Sequence, residues 1–168
     1  MLTTTLRLSL VLAFAALLAL AGMTRPRAAN AQATTTTTHV LFPFTPALPV
    51  PCANGGAGEL VQFSGEVLVV NHFTFNDNHT TIVSRVQPQG ISGVGLTTGD
   101  TYHINGGSRL TTTFQSDGTG STLALLNITR LVGPGPDNNL LLLQHIQMTF
   151  NNDGELTSSQ ASFSSDCK

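Results

Sequence analysis

From residue 60 onward the chain alternates apolar and polar side chains, and the alternating runs are separated by clusters of Gly, Asn, Asp and Pro. Over residues 60 to 75, Val61, Phe63, Val67, Val69, Phe73 and Phe75 fall on one side, with Gln62, Ser64, Glu66, His72 and Thr74 on the other. A period of two belongs to a strand with one covered face, whereas a helix needs a period of about 3.6. Gly65 interrupts the run at a point where a bulge or bend fits. The Asn76-Asp77-Asn78-His79 cluster then reads as a turn into a β-branched strand over residues 80 to 87. Residues 88 to 100 carry Pro88, Gly90, Gly93, Gly95 and Gly99 and read as an irregular connection.

Residues 101 to 114 read as a third strand, or as two short ones broken at Asn105-Gly106-Gly107; further strands follow over 121 to 132, over 140 to 150, where the alternation resumes, and over 156 to 163. Asn151-Asn152-Asp153-Gly154 is the strongest hairpin signal, because Asp-Gly readily adopts positive φ. No segment carries a helical stripe with caps. The expectation is an all-β domain: an antiparallel meander of about six to eight strands, closed as a barrel or a coiled sandwich. Strands longer than ten residues, apolar on one face, favour the barrel, which also removes exposed edges.

Two segments precede this pattern. Arg7 is followed by an uncharged apolar run over residues 8 to 22, then by Ala29-Asn30-Ala31 and the overlapping Ala31-Gln32-Ala33. The run is shorter than the about 20 residues a bilayer span requires. Residues 1–31 therefore read as an export signal, cut after Ala31 or Ala33, which directs the protein to a periplasmic or secreted location. The competing reading is an uncleaved anchor flanked by Arg25 and Arg27. Residues 32–51 read as a linker, with five consecutive threonines and then Pro43, Pro46, Pro49 and Pro51, leaving residues 52–168 as a single β domain.

Only 10% of the residues are charged, and the formal net charge is −2. Removing the signal takes away Arg7, Arg25 and Arg27, leaving four cations against nine acidic groups, a net −5. Four scattered cations do not make a basic patch, which argues against nucleic acid and anionic lipid as partners. Cys52 and Cys167 bracket the β region, and in an exported chain an even pair implies one disulfide joining the first and last segments. Neither cysteine has the neighbouring Cys or His of a metal or redox motif.

Catalytic signatures fail on inspection. In Gly93-Val94-Gly95-Leu96-Thr97-Thr98-Gly99 the third glycine falls one place late for a dinucleotide loop, and Val94 replaces the last glycine of a nucleophile elbow. Asp77, Asp100, Asp117, Asp137 and Asp153 all occupy turn contexts, Glu66 alone lies within a strand, and Glu59 is the other carboxylate candidate. The residual acid–base candidates are His103, Tyr102, His145 and Glu66. His72, His103 and His145 would make a metal site only if their strands brought them together, since no local His-x-His spacing supports one. No cofactor motif is present. Asn78-His79-Thr80 and Asn127-Ile128-Thr129 match glycan acceptor sites.

The opening Cys52-Ala53-Asn54-Gly55-Gly56-Ala57-Gly58-Glu59, the loop from Pro88 through Asp100, the Gly133-Pro134-Gly135-Pro136-Asp137-Asn138-Asn139 loop and the Cys167-Lys168 ending resemble a group of uncharacterised exported bacterial β-proteins. The resemblance covers residues 52 to 168 and implies export and kinship, with no activity attached. The leading expectation is a non-catalytic exported β domain that binds a small apolar ligand or a surface component. The alternatives are a barrel enzyme, an isomerase or hydrolase using the His, Tyr and Glu candidates, and a structural or adhesive module.

Overall fold

The computed structural model describes residues 33–135 and 138–168. The export-signal reading of residues 1–31 lies outside the described residues. Among the described residues the chain is all β, with β1 (Thr34–Pro43), β2 (Ala47–Val50), β3 (Glu59–Phe75), β4 (His79–Gly95), β5 (Thr101–Gln115), β6 (Ser121–Val132), β7 (Leu140–Phe150) and β8 (Leu156–Cys167). They form one sheet in the order β1-β3-β4-β5-β6-β7-β8, with β2 also pairing β3. Each pairing is antiparallel. No helix among the described residues is long and apolar enough to cross a membrane.

The Thr/Pro segment differs from its reading as a linker. Thr34 to Pro43 pairs residue for residue with Phe75 to Glu66, and Ala47 to Val50 pairs with Gln62 to Glu59. β1 and β2 thus form one interrupted edge along β3. β-Branched threonines suit an extended strand, and proline is tolerated at an edge, where its missing amide need not serve a second neighbour.

Residues 88 to 95 likewise belong to a strand and not to an irregular connection. β4 continues to Gly95 through a register shift opposite Gly65. Gly90, at φ +62°, absorbs the extra residue. The ladder from β4 to β5 lapses between Val86 and Ser92, so Pro88 sits where it withholds no hydrogen bond from β5. At the 151–154 turn only Gly154 takes positive φ, at +79°, and the Asn151 carboxamide accepts hydrogen bonds from the Asp153 and Glu155 amides. The glycine works alone there, and the asparagine supplies the rest of the turn.

Barrel closure is the expectation that fails. β1 and β8 are the two edges of an open sheet. The sheet is nevertheless strongly curled. Laid flat, β2 and β8 would stand on opposite edges, roughly 29 Å apart at strand spacings of about 4.8 Å. Yet Cys52, two residues beyond β2, is disulfide-bonded to Cys167 of β8, with Cα atoms 5.3 Å apart. The curl brings the edges together at this one end, and a disulfide replaces the ladder that a barrel would use.

Residues 51–58 form a strap across that end. The Gly55 amide donates to Asn138 Oδ1 at 2.9 Å, and Lys168 and Asn139 exchange backbone hydrogen bonds of 2.8 and 3.1 Å. Under the strap Val50, Ala53, Val61, Phe63, Ile91, Tyr102 and Leu131 form the fully buried core, with Phe44, Val67, Ile104 and Leu140 packed against it.

Candidate functional site

Register assigns every strand residue to one of two faces, because directly paired residues point the same way. The inner face carries the core and continues away from the strap in three rows. These are Asn71, Ser84, Leu110, Leu125, Ile146 and Ala161; then Phe73, Ile82, Thr112, Leu123, Met148 and Ser159; then Phe75, Thr80, Phe114, Ser121, Phe150 and Leu156. Most of these side chains are half-buried, and no second layer covers them among the described residues. Phenylalanines 42, 63, 73, 75, 114, 150 and 163 all stand on this inner face.

At the sealed end lies the one cluster of buried polar chemistry among the described residues. Glu59, the first residue of β3, is 7% exposed and shares the inner face with Val61 and Phe63. The turn after β4 points two amides at its Oε2, Thr97 N at 3.0 Å and Thr98 N at 3.1 Å. The Thr98 hydroxyl donates to Oε1 at 2.8 Å, and the fully buried Tyr102 hydroxyl donates to the same oxygen at 3.0 Å. A Cβ at Gly95 would collide with both carboxylate oxygens, and one at Gly133 would collide with the Tyr102 ring. The glycine-rich stretch does cradle an anion with its amides, and the anion is the chain's own carboxylate.

The electrostatics follow from these contacts. Desolvation pushes the Glu59 pKa up, but the hydrogen bonds from Thr98, Thr97 and Tyr102 outweigh it and hold the carboxyl below its ordinary range. Desolvation and donation to Glu59 push the Tyr102 phenol up, against a smaller lowering by the Asn54 amide. A general acid at neutral pH needs a raised carboxyl, and a phenolic base needs a lowered one. Both groups move the other way. Every oxygen of the pair is engaged, and the cluster anchors the 97–98 turn and the strap to the sheet.

The other candidates do not join it. His103 follows Tyr102 in β5 and therefore points to the outer face, where it pairs with Ser92 and Val132. It borders a depression of about 560 Å³ over the gap in the β4–β5 ladder, lined otherwise by Pro88, Gly90, Ile91, Ser92, Ile104, Asn105, Gly106 and Val132. No other titratable group lines it, so no acid–base pair forms there. Glu66 is exposed on the outer face between Pro43 and Gln89. His145 is exposed between Leu126 and Ser162, and His72 meets the Thr37 hydroxyl at 2.9 Å. His72, His103 and His145 lie on alternate strands β3, β5 and β7. His72 and His145 stand four strands apart, roughly 19 Å at strand spacing. No three His, Cys, Asp or Glu side chains among the described residues are grouped to hold a metal ion.

Glu59 is the residue whose importance sequence reading missed. Its position two before Val61 and four before Phe63 places it on the apolar face, and that was the available signal. Comparison of the chain with family models, curated proteins and solved structures finds no match.

Proposed function

We propose that this chain is an exported, non-catalytic binding module whose inner sheet face takes a small apolar ligand. The observation that carries the reading is the contrast between the two halves of that face. At the strap end the apolar rows are sealed; beyond it, Phe73, Ile82, Leu110, Leu123, Leu125, Ile146, Met148 and Phe150 continue the same surface with no covering layer among the described residues. These side chains are half-buried, and a continuous apolar sheet face without a covering layer is a usual mark of a binding site.

Export is supported by the Cys52–Cys167 disulfide, which is compatible with an oxidising periplasmic or extracellular compartment. The non-catalytic part of the reading is supported by geometry: the Glu59 and Tyr102 oxygens are engaged in a buried hydrogen-bonded cluster, and His103, His145 and Glu66 stand apart from it on the outer face. Native mass spectrometry of protein purified from its own host tests the proposal. A retained apolar molecule of defined mass, released by organic solvent, is expected. A bare polypeptide mass that gains no apolar ligand on incubation with a host lipid extract would overturn it.

A further inference from the structure

The cations of the strands are segregated. Arg85, Arg109 and Arg130, with His39, His72, His79, His103 and His145, all fall on the outer face. Arg85 and Arg109 are direct cross-strand partners. The sequence scatters them 24 positions apart, and the meander sets them side by side. Two like charges directly opposite are destabilising in a sheet. Their row runs His39, Val70, Arg85, Arg109, Leu126, His145 and Ser162 and contains no carboxylate. The row on either side contains none either: Thr37, His72, Val83, Thr111, Ala124, Gln147 and Gln160 on one, and on the other Leu41, Leu68 and Gln87 across β1, β3 and β4, with Gly107, Ile128, Leu143 and Ser164 across β5 to β8.

The backbone opens a notch beside this pair. Gly107 stands on the outer face without a side chain, and a Cβ there would lie 2.6 Å from the Val86 carbonyl oxygen, so the position is held to glycine. The resulting depression, about 210 Å³, is lined by Arg85, Gln87, Gly107, Arg109, Leu126 and Ile128 among others. A second depression of about 270 Å³ shares Leu126 and Ile128 and extends over Leu143 and His145. Leu126 and Ile128 are 48% and 39% exposed. Guanidinium forks and a carboxamide line one end of this groove, and aliphatic side chains line the other.

We propose that the outer-face groove binds an amphiphilic organic anion, its oxyanion head between Arg85 and Arg109 and its apolar body over Leu126, Ile128 and Leu143. Planar guanidinium forks match the oxygens of a carboxylate, sulfate or phosphate head, and Gln87 adds a neutral donor. The aliphatic wall removes the reason for a bare inorganic ion to be the ligand. A nucleic acid strand fits less well, since no strand phenylalanine stands on this face to stack a base. This groove lies on the opposite side of the sheet from the inner apolar face and is independent of it.

The test uses the full mature chain and isothermal titration at low ionic strength with octyl sulfate, octanoate, octanol and inorganic sulfate. Octyl sulfate or octanoate is expected to bind at least tenfold more tightly than octanol and than inorganic sulfate. Arg85→Gln with Arg109→Gln should weaken the anionic probe by about tenfold per guanidinium removed, the size of a charge-assisted hydrogen bond. Arg130→Gln, which removes one charge from the same face outside the notch, should leave affinity within about twofold, as should Leu125→Asp on the inner face. Equal affinity for octanol and octyl sulfate, or equal losses in Arg130→Gln and the double variant, would overturn the site. A ligand that Leu125→Asp abolishes would assign binding to the inner face instead and also overturn it.

Discussion

The Tyr102 hydroxyl donates to Glu59 Oε1 at 3.0 Å, joining β5 to the first residue of β3 across 43 positions of sequence inside the most buried part of the sheet. Two changes dissect this bond. Tyr102→Phe removes a single donor to a charged acceptor and should destabilise by about 1.5–3 kcal/mol, whereas Glu59→Gln leaves the Thr97 and Thr98 amides with a poorer acceptor and should cost at least as much. Urea denaturation of both variants measures the difference. Unchanged midpoints would mean that the cluster does not hold the strap end together.

The same pair sets the pH response. The folded Glu59 pKa lies below its ordinary 4.5, so the folded state binds fewer protons than the unfolded one. Its contribution is therefore present above pH 4.5 and is lost as pH falls through the lower folded value. Tyr102 is raised above 10.0, so its contribution is complete below pH 10 and is lost as pH rises through the higher folded value. Thermal unfolding followed from pH 2 to 11 should decline at both ends in the wild type. Glu59→Gln should blunt the acid limb and Tyr102→Phe the alkaline one.

Gly95→Ala should destabilise by about 1–3 kcal/mol, because the new methyl group meets the Glu59 carboxylate in a site with no room to yield. Pairing it with Glu59→Ala removes the obstacle, so the two effects should combine to less than their sum. Additive losses in a double-mutant cycle would show that the glycine is needed for some other reason.

The Cys52–Cys167 disulfide closes a loop with a sequence separation of 115. In the chain-entropy model a loop of that length is worth about 4–5 kcal/mol. Reduction, or Cys52→Ser with Cys167→Ser, should lower stability by an amount of that order and expose the strap to proteolysis. Intact mass after alkylation without reductant should be unchanged in the wild type, and two thiol adducts would contradict the bond.

The parts of this fold that were legible in the sequence are those fixed locally. Period-two alternation located β3 and β7, turn clusters delimited β5, β6 and β8, Gly65 marked the register shift, and the two cysteines marked the bond between first and last segments. Thr34 to Pro43 was misread because proline forbids a central strand and says nothing against an edge one. β4 was cut short at Pro88 because the lapse in its ladder to β5 is a property of the partner strand. Closure was misjudged for a related reason, since strand length fixes neither curl nor the pairing of edges. The bond between Tyr102 and Glu59 was not legible, because the two lie 43 positions apart and only the register of β3 against β4 and of β4 against β5 makes them neighbours.

Adjacent residues of β6 separate an apolar ligand on the inner face from one on the outer face. Leu125 points inward and is half-buried, whereas Leu126 points outward and is 48% exposed. The measurement is titration of the protein with an uncharged, environment-sensitive apolar fluorophore, compared with Leu125→Asp and Leu126→Asp at matched folded fractions. Saturable binding to the wild type, retention in Leu126→Asp, and a loss of more than about tenfold in Leu125→Asp are expected, consistent with a charge placed on a desolvated apolar surface. Equal binding by both variants, or loss in Leu126→Asp alone, would contradict binding on the inner face.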